Sequence, residues 1–276
     1  MVVSYIVPII VFLFIGGAAG VMLTIASKAF EVESDESVGE ILEFLPGINC
    51  GACGLASCEA YAEAVKKGNL APNLCKPGGI EAAMSIGNFL GIEVKPGERE
   101  SAFVHCAGPT AEDRFSYSGT ETCEAARLYY NGKSNCAHGC LGFGDCARVC
   151  SYGAIRFENG VAVVEPQKCW ACGLCTRACP NGIISLRKHS ERTKVRCSSK
   201  MGRDTRQICK HGCMACGVCG KKCLKDAIGV KGNIAAIDYD ICIACGVCAV
   251  ICPTKCIVVE QFFHKASRAE KAENKQ

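Results

Sequence analysis

The first 27 residues carry no charged side chain, and Tyr5 to Ala26 is an almost unbroken apolar run of 22 residues. A helix of that length reaches across the hydrocarbon layer of a bilayer. The pattern predicts an uncleaved anchor at residues 1–27, because a signal peptide would open on basic residues and carry a shorter apolar core. Gly16 and Gly20, with Gly17, Ala18 and Ala19 between them, give this helix a flat face suited to close approach by another helix. Residues 28–45 then turn acidic, with Glu31, Glu33, Asp35, Glu36, Glu40 and Glu43 and no basic residue between Lys28 and Lys66; this reads as a solvated linker or helix face. A helical pattern follows from Leu55 to Lys67 and stops at Gly68. Two hairpins are predicted further on. Ala154 to Phe157 and Val161 to Val164 flank Glu158-Asn159-Gly160, and Ala227 to Val230 and Ile234 to Ile237 flank Lys231-Gly232-Asn233. Residues 81–133 have no assignable period.

These short elements cannot build one deep core, and composition gives the reason. Cysteine supplies 25 of 276 residues, far above ordinary globular usage, whereas aromatic residues make up only 7%. Small units wrapped around metal fit such a chain better than a single apolar interior. Twenty of the cysteines fall into five quartets: Cys50, Cys53, Cys58 and Cys75; Cys136, Cys140, Cys146 and Cys150; Cys169, Cys172, Cys175 and Cys179; Cys213, Cys216, Cys219 and Cys223; Cys242, Cys245, Cys248 and Cys252. The last three read Cys-x2-Cys-x2-Cys-x3-Cys, the run by which bacterial ferredoxins hold two four-iron clusters.

Two other uses of cysteine fit less well. Disulfides need an oxidising compartment, and cysteines repeated every third residue are badly placed to bridge one another. Zinc ribbons use two separated pairs, whereas here a third cysteine follows at once and a fourth stands beside proline in Cys179-Pro180 and Cys252-Pro253. Five [4Fe-4S] clusters are therefore expected, with the twenty cysteines as thiolate ligands and no catalytic residue on the chain.

The region from Cys136 to residue 184 and the region from 213 to 259 each read as cysteine run, strand, turn, strand, cysteine run, so each is expected to be one two-cluster ferredoxin module. In such modules the fourth cysteine of a run ligates the other cluster. The expected sets are Cys136, Cys140, Cys146 with Cys179; Cys169, Cys172, Cys175 with Cys150; Cys213, Cys216, Cys219 with Cys252; and Cys242, Cys245, Cys248 with Cys223. The run at Cys136 is irregular, Cys-x3-Cys-x5-Cys-x3-Cys, with Leu141-Gly-Phe-Gly-Asp145 in its wider gap. The Cys50 to Cys75 spacing, Cys-x2-Cys-x4-Cys-x16-Cys, belongs to a separate small domain. Cys106, Cys123, Cys197, Cys209 and Cys256 lie outside the quartets, either as buried thiols or, for the first four, as a further metal site if their segments meet.

The expected fold is α+β, with an anchor (1–27), an acidic linker (28–45), a four-iron domain (46–80), a connecting region (81–133), ferredoxin module one (134–186), a basic connector (187–211), module two (212–260) and a charged tail (261–276). Residues 187–225 hold twelve Lys or Arg, which offset cluster charge or form a docking patch for an acidic carrier. Five oxidised clusters of about −2 each would turn the formal +4 into about −6. Iron–sulfur sites need a reducing compartment, so the bulk of the chain should face the cytoplasm. Nucleic acid binding has no motif to support it.

The order of parts, with Cys50-Gly-Ala-Cys-Gly-Leu-Ala-Ser-Cys58 and Cys75-Lys-Pro-Gly-Gly79 between an anchor and two ferredoxin modules, resembles the B subunit of the Rnf complex, the ion-translocating ferredoxin:NAD+ oxidoreductase, in its longer form. That resemblance implies a single-pass protein of the cell membrane that takes electrons from soluble ferredoxin and passes them to membrane subunits. The Cys50 to Cys75 site would be the exit and the C-terminal modules the entry. No Gly-x-Gly-x-x-Gly follows a strand, so no nicotinamide site is expected on this chain, and the anchor has no ionisable residue to carry an ion. The alternative is a polyferredoxin serving a hydrogenase or dehydrogenase without ion pumping. Corrinoid chemistry lacks a cobalamin domain here.

Overall fold

The computed structural model describes residues 3–29, 36–94, 97–108 and 111–260. Its elements in chain order are α1 (Val3–Ala29), α2 (Glu36–Glu43), α3 (Cys58–Lys66), α4 (Gly79–Leu90), β1 (Glu100–Val104), α5 (Cys123–Leu128), α6 (Asp145–Arg148), β2 (Ile155–Glu158), β3 (Val161–Val164), α7 (Leu174–Ala178), β4 (Ile184–Lys188), β5 (Thr193–Val195), α8 (Thr205–Ile208), α9 (Val218–Lys221), β6 (Ile228–Lys231), β7 (Ile234–Ile237), α10 (Val247–Ile251) and β8 (Ile257–Val259). The charged tail, 261–276, lies outside the described residues.

Helices α2, α3 and α4 enclose one small core of Ile41, Leu45, Tyr61, Ala62, Val65 and Ile86. Fully burying an aliphatic or aromatic side chain of this size contributes about 1.5–3 kcal/mol, so three short helices can hold together around a cysteine loop. The acidic stretch is thus partly a packed helix: Ile41 is fully buried while Glu40 and Glu43 face solvent. Helix α3 begins at Cys58, three residues after the expected start, because the Ser57 hydroxyl accepts the Ala60 amide hydrogen and caps it there. Helix α4 lies in the stretch that showed no period, and ends at Gly91 in the left-handed conformation.

The rest of the chain is built twice. Among the described residues there are four two-stranded antiparallel sheets, β1–β4, β2–β3, β5–β8 and β6–β7. In the first copy β2 and β3 form a hairpin and β4 returns to pair with β1, with Val104 opposite Ile184. In the second copy β6 and β7 form the hairpin and β8 pairs with β5, with Val195 opposite Ile257. Both hairpins lie within a residue of the expected bounds. The basic connector is not a plain linker, since β5 belongs to the second copy, and β1 performs the same role in the first. Beyond these strands, the His105 amide donates to the Ile183 carbonyl at 2.7 Å, and the Arg196 amide donates to the Cys256 carbonyl at 2.7 Å.

Side chains of α1 are described for residues 12–27, where Phe12, Leu13, Phe14, Ile15, Val21, Met22, Leu23 and Ile25 are all exposed. Among the described residues no helix is long and apolar enough to cross a membrane. The crossing expected of residues 1–27 is therefore not established by the fold.

Candidate iron–sulfur sites

Cys50 and Cys53 sit in a loop curled by left-handed backbone at Asn49, Gly51 and Gly54. The Asn49 side-chain oxygen accepts the Cys58 amide hydrogen at 2.7 Å, which fixes the first turn of α3 against that loop. Burial pushes the Cys75 thiol above its ordinary value, and Cys58, Cys50 and Cys53 add to the shift; Cys53, Cys58 and Cys75 pack against the same small core. Gly78 leaves no room for a side chain: an added Cβ would stand 2.7 Å from the Ala82 Cβ and 3.1 Å from the Cys75 sulfur. Tyr61, beside Cys75 and Cys53, is pushed up to about 12 by burial.

This quartet abuts the first copy. The Arg177 guanidinium donates to the Cys50 carbonyl. Burial pushes Cys175 up to about 12, with Cys169, Cys172 and Cys150 adding. Those four are the set expected from an interleaved module.

The next cavity has Cys123, Cys140, Cys146 and Cys179 in its wall. Cys136 was expected in this set and is not there. Aligned on the hairpins, Cys140, Cys146, Cys150 and Cys179 recur 73 residues later as Cys213, Cys219, Cys223 and Cys252, and the residue matching Cys216 is Phe143. Cys123, at the start of α5, stands in the cavity wall instead. Asp145 brings it there, since its carboxylate accepts the backbone hydrogens of Cys123 at 3.0 Å and Glu124 at 3.2 Å. Thr122 caps the same helix through the Ala125 amide. Burial pushes Cys146 up to about 12, and Cys140 and Cys123 add to it.

In the second copy one cavity is lined by Cys213, Cys216, Cys219, Cys252 and Cys256, and another by Cys223, Cys242, Cys245 and Cys248. Both hold the expected quartets. Cys256, the Ile183 position of the first copy, is the addition: its sulfur is 3.6 Å from that of Cys252. Hydrogen bonding from Cys256 pulls Cys252 down to about 4 and Cys213 down to about 6 and holds its own thiol far up.

Among the described residues no three His, Cys, Asp or Glu side chains form a group that could hold a single metal ion. Sulfurs around a cubane of four irons stand wider apart than ligands of one ion, and cavities walled by four cysteines are the geometry such a centre needs. The buried thiols fit it as well, because iron supplies the positive charge that a buried thiolate otherwise lacks.

Three domain families match the chain: a putative Fe-S cluster domain over residues 45–77, a 4Fe-4S dicluster domain over 135–183, and a 4Fe-4S binding domain over 235–258. The B subunit of the ion-translocating oxidoreductase complex of Methanosarcina acetivorans is 41% identical over 88% of this chain and 94% of its own length. The B subunit of the proton-translocating ferredoxin:NAD(+) oxidoreductase complex of Clostridium ljungdahlii is 37% identical over 98% and 99%. The chain belongs to the family of Rnf B subunits. The corresponding polypeptide of the Na(+)-translocating complex of Acetobacterium woodii is 37% identical over 93% of this chain and 78% of its own. As a member of the Rnf B family, the chain is an iron–sulfur component of an oxidoreductase complex, with [4Fe-4S] domains in both of its copies.

Motif spacing does not point to Cys123, which lines this cavity, whereas Cys136, which the spacing places in the set, does not line it. The signal was in the second copy: Cys136-Ala-His-Gly-Cys140 matches Cys209-Lys-His-Gly-Cys213, which puts Cys136 outside the run.

Proposed function

We propose that this protein takes electrons from reduced soluble ferredoxin and relays them through five [4Fe-4S] clusters to the membrane subunits of an ion-pumping ferredoxin:NAD+ oxidoreductase. The ligand sets are Cys50, Cys53, Cys58 and Cys75; Cys150, Cys169, Cys172 and Cys175; Cys123, Cys140, Cys146 and Cys179; Cys213, Cys216, Cys219 and Cys252; and Cys223, Cys242, Cys245 and Cys248. When bound, the clusters supply one-electron chemistry, and the protein sets their potentials through burial, amide hydrogen bonds and local charge.

The observation that carries this reading is the contact between the Cys50 loop and the first ferredoxin copy through Arg177. It gives electrons in the copies a neighbour in the cluster domain that follows α1 in the chain. Entry at the other end is supported by exposure. Cys216 and Cys245 are exposed, and Lys200, Arg203, Arg206, Lys210, Lys221, Lys222 and Lys225 are exposed in the same copy, which suits an acidic carrier. Arg187 and Lys194 do not join that patch, since Arg187 pairs with Glu191 and Lys194 is buried against Glu260. The 22-residue apolar run of residues 5–26 and the exposed apolar side chains from Phe12 to Ile25 support a single-pass anchor with the cluster domains in the cytoplasm.

The test uses the Cys58→Ala variant assembled with its complex. Reduced ferredoxin should still bleach the clusters of the two copies, while electron delivery to the membrane subunits falls at least tenfold. Undiminished delivery would refute an exit through the Cys50 to Cys75 site.

A further inference from the structure

With Cys123 lining the first copy's cavity, Cys106, Cys136, Cys197 and Cys209 belong to none of the five sets. They form two equivalent pairs. Cys106 follows Val104 of β1 by two residues, and Cys197 follows Val195 of β5 by two; each valine faces the matching isoleucine of its copy, Ile184 or Ile257. Cys136 and Cys209 each stand four residues before the first cysteine of their run, in the repeated Cys-x-His-Gly-Cys. Their loops close alike, with the Gly139 amide donating to the Cys136 carbonyl at 3.2 Å and the Gly212 amide to the Cys209 carbonyl at 3.3 Å.

Three hydrogen bonds draw the four segments together. The His105 ring meets the Val195 carbonyl at 2.8 Å, which holds the Cys106 segment to the Cys197 segment across the copies. The Ser198 hydroxyl donates to the His138 carbonyl at 2.5 Å, joining the segments of Cys197 and Cys136. Ser199 and Thr205 share a buried hydroxyl contact at 2.9 Å, which ties the Cys197 segment to the short helix α8 that ends beside Cys209. Cys197 is buried and Cys106, Cys136 and Cys209 are partly buried at this junction. Backbone amides of Ser199 and Cys213 already donate to the Cys197 sulfur at 3.4 and 3.2 Å, the hydrogen bonding that a cluster thiolate uses.

We propose that Cys106, Cys136, Cys197 and Cys209 hold a sixth four-iron cluster at the junction of the two ferredoxin copies, each copy giving one equivalent pair of ligands. The proposal rests on the reading of the other cavities as four-iron sites. Its position gives it a role. Cys106 packs against the same buried core as Cys140 of the first copy's cavity, and the Cys197 sulfur accepts the amide hydrogen of Cys213, a wall residue of the second copy's cavity. A redox centre here joins the two copies into one path, receiving one electron from one copy and giving one to the other. A zinc ion would leave them separate.

The test is anaerobic iron, acid-labile sulfide and zinc determination on the full-length chain in detergent, with the variants Cys209→Ala, Cys106→Ala/Cys209→Ala and Cys58→Ala. The wild type should hold about 24 irons per chain, and each quartet variant about 20, with one EPR signal lost. The remaining irons show that the other sites, and hence the fold, survive. About 20 irons in the wild type with no loss in the quartet variants, or one zinc per chain that those variants lose, overturns the sixth cluster. Cys58→Ala separates the two readings: if it removes about four irons while the quartet variants remove none, only the sixth cluster fails. If it too removes none, the five-cluster reading fails with it.

Discussion

The two ferredoxin copies share strands, hairpins and the Cys-x-His-Gly-Cys motif, yet they line equivalent cavities with cysteines from different places in the chain. In the second copy the run is regular, and Cys216 lies between Cys213 and Cys219. In the first copy Phe143 occupies that position, and the cavity is closed by Cys123, which reaches it from residues 107–135, a far longer connection than residues 198–208 of the second copy. A four-iron site needs four sulfurs around a cavity, and spacing along the chain is only one way to supply them. Asp145 is part of the same substitution. It anchors α5 by its start, and its counterpart in the second copy is Val218, whose side chain has no acceptor to offer.

The largest expected effect comes from removing the imported ligand. Cys123→Ala should cost about four irons per chain in anaerobic iron analysis, and adding Phe143→Cys should restore them by giving the first copy the second copy's run. The comparison breaks if Cys123→Ala leaves the iron in place and the rescue changes nothing. A smaller loss is expected from Asp145→Ala, which frees the start of α5. Loss of such a cap costs about 1 kcal/mol, so chelator challenge should strip the first copy's iron faster than in the wild type, with the second copy unaffected; equal rates in both copies would detach Asp145 from the site. The smallest effect belongs to Cys256→Ile, which copies Ile183 of the first copy. Hydrogen bonds to ligand sulfurs favour the reduced, more negative cluster, so potentiometric EPR should show one second-copy centre at lower potential with iron content unchanged. An unmoved potential would mean that Cys256 does not tune the site.

Much of this arrangement is legible in the sequence where the chemistry is local. The hairpins follow from alternation and turn residues, and the regular runs carry their spacing with them. The Cys50 to Cys75 site was readable for the same reason, as its loop and helix are contiguous. What escaped reading depends on contacts between distant segments. Neither β1 nor β5 has enough residues to show a period, and each is defined by pairing with a strand more than sixty residues away. The burial of Ile41 on helix α2 is not visible in an acidic stretch that reads as a solvated linker or helix face. Cys123 was invisible to any count within a run, since only the carboxylate of Asp145 connects it to the cavity.

The central claim is a continuous path from the exposed cysteines of the second copy to the Cys50 to Cys75 site. It is tested most directly by rapid-freeze EPR of the full-length chain mixed with reduced ferredoxin, comparing the wild type with Cys106→Ala/Cys209→Ala. The account predicts that in the variant the second-copy centres are reduced as fast as in the wild type, while the Cys50 to Cys75 centre is reduced at least tenfold more slowly. Equal rates at that centre would contradict a path through the junction of the copies.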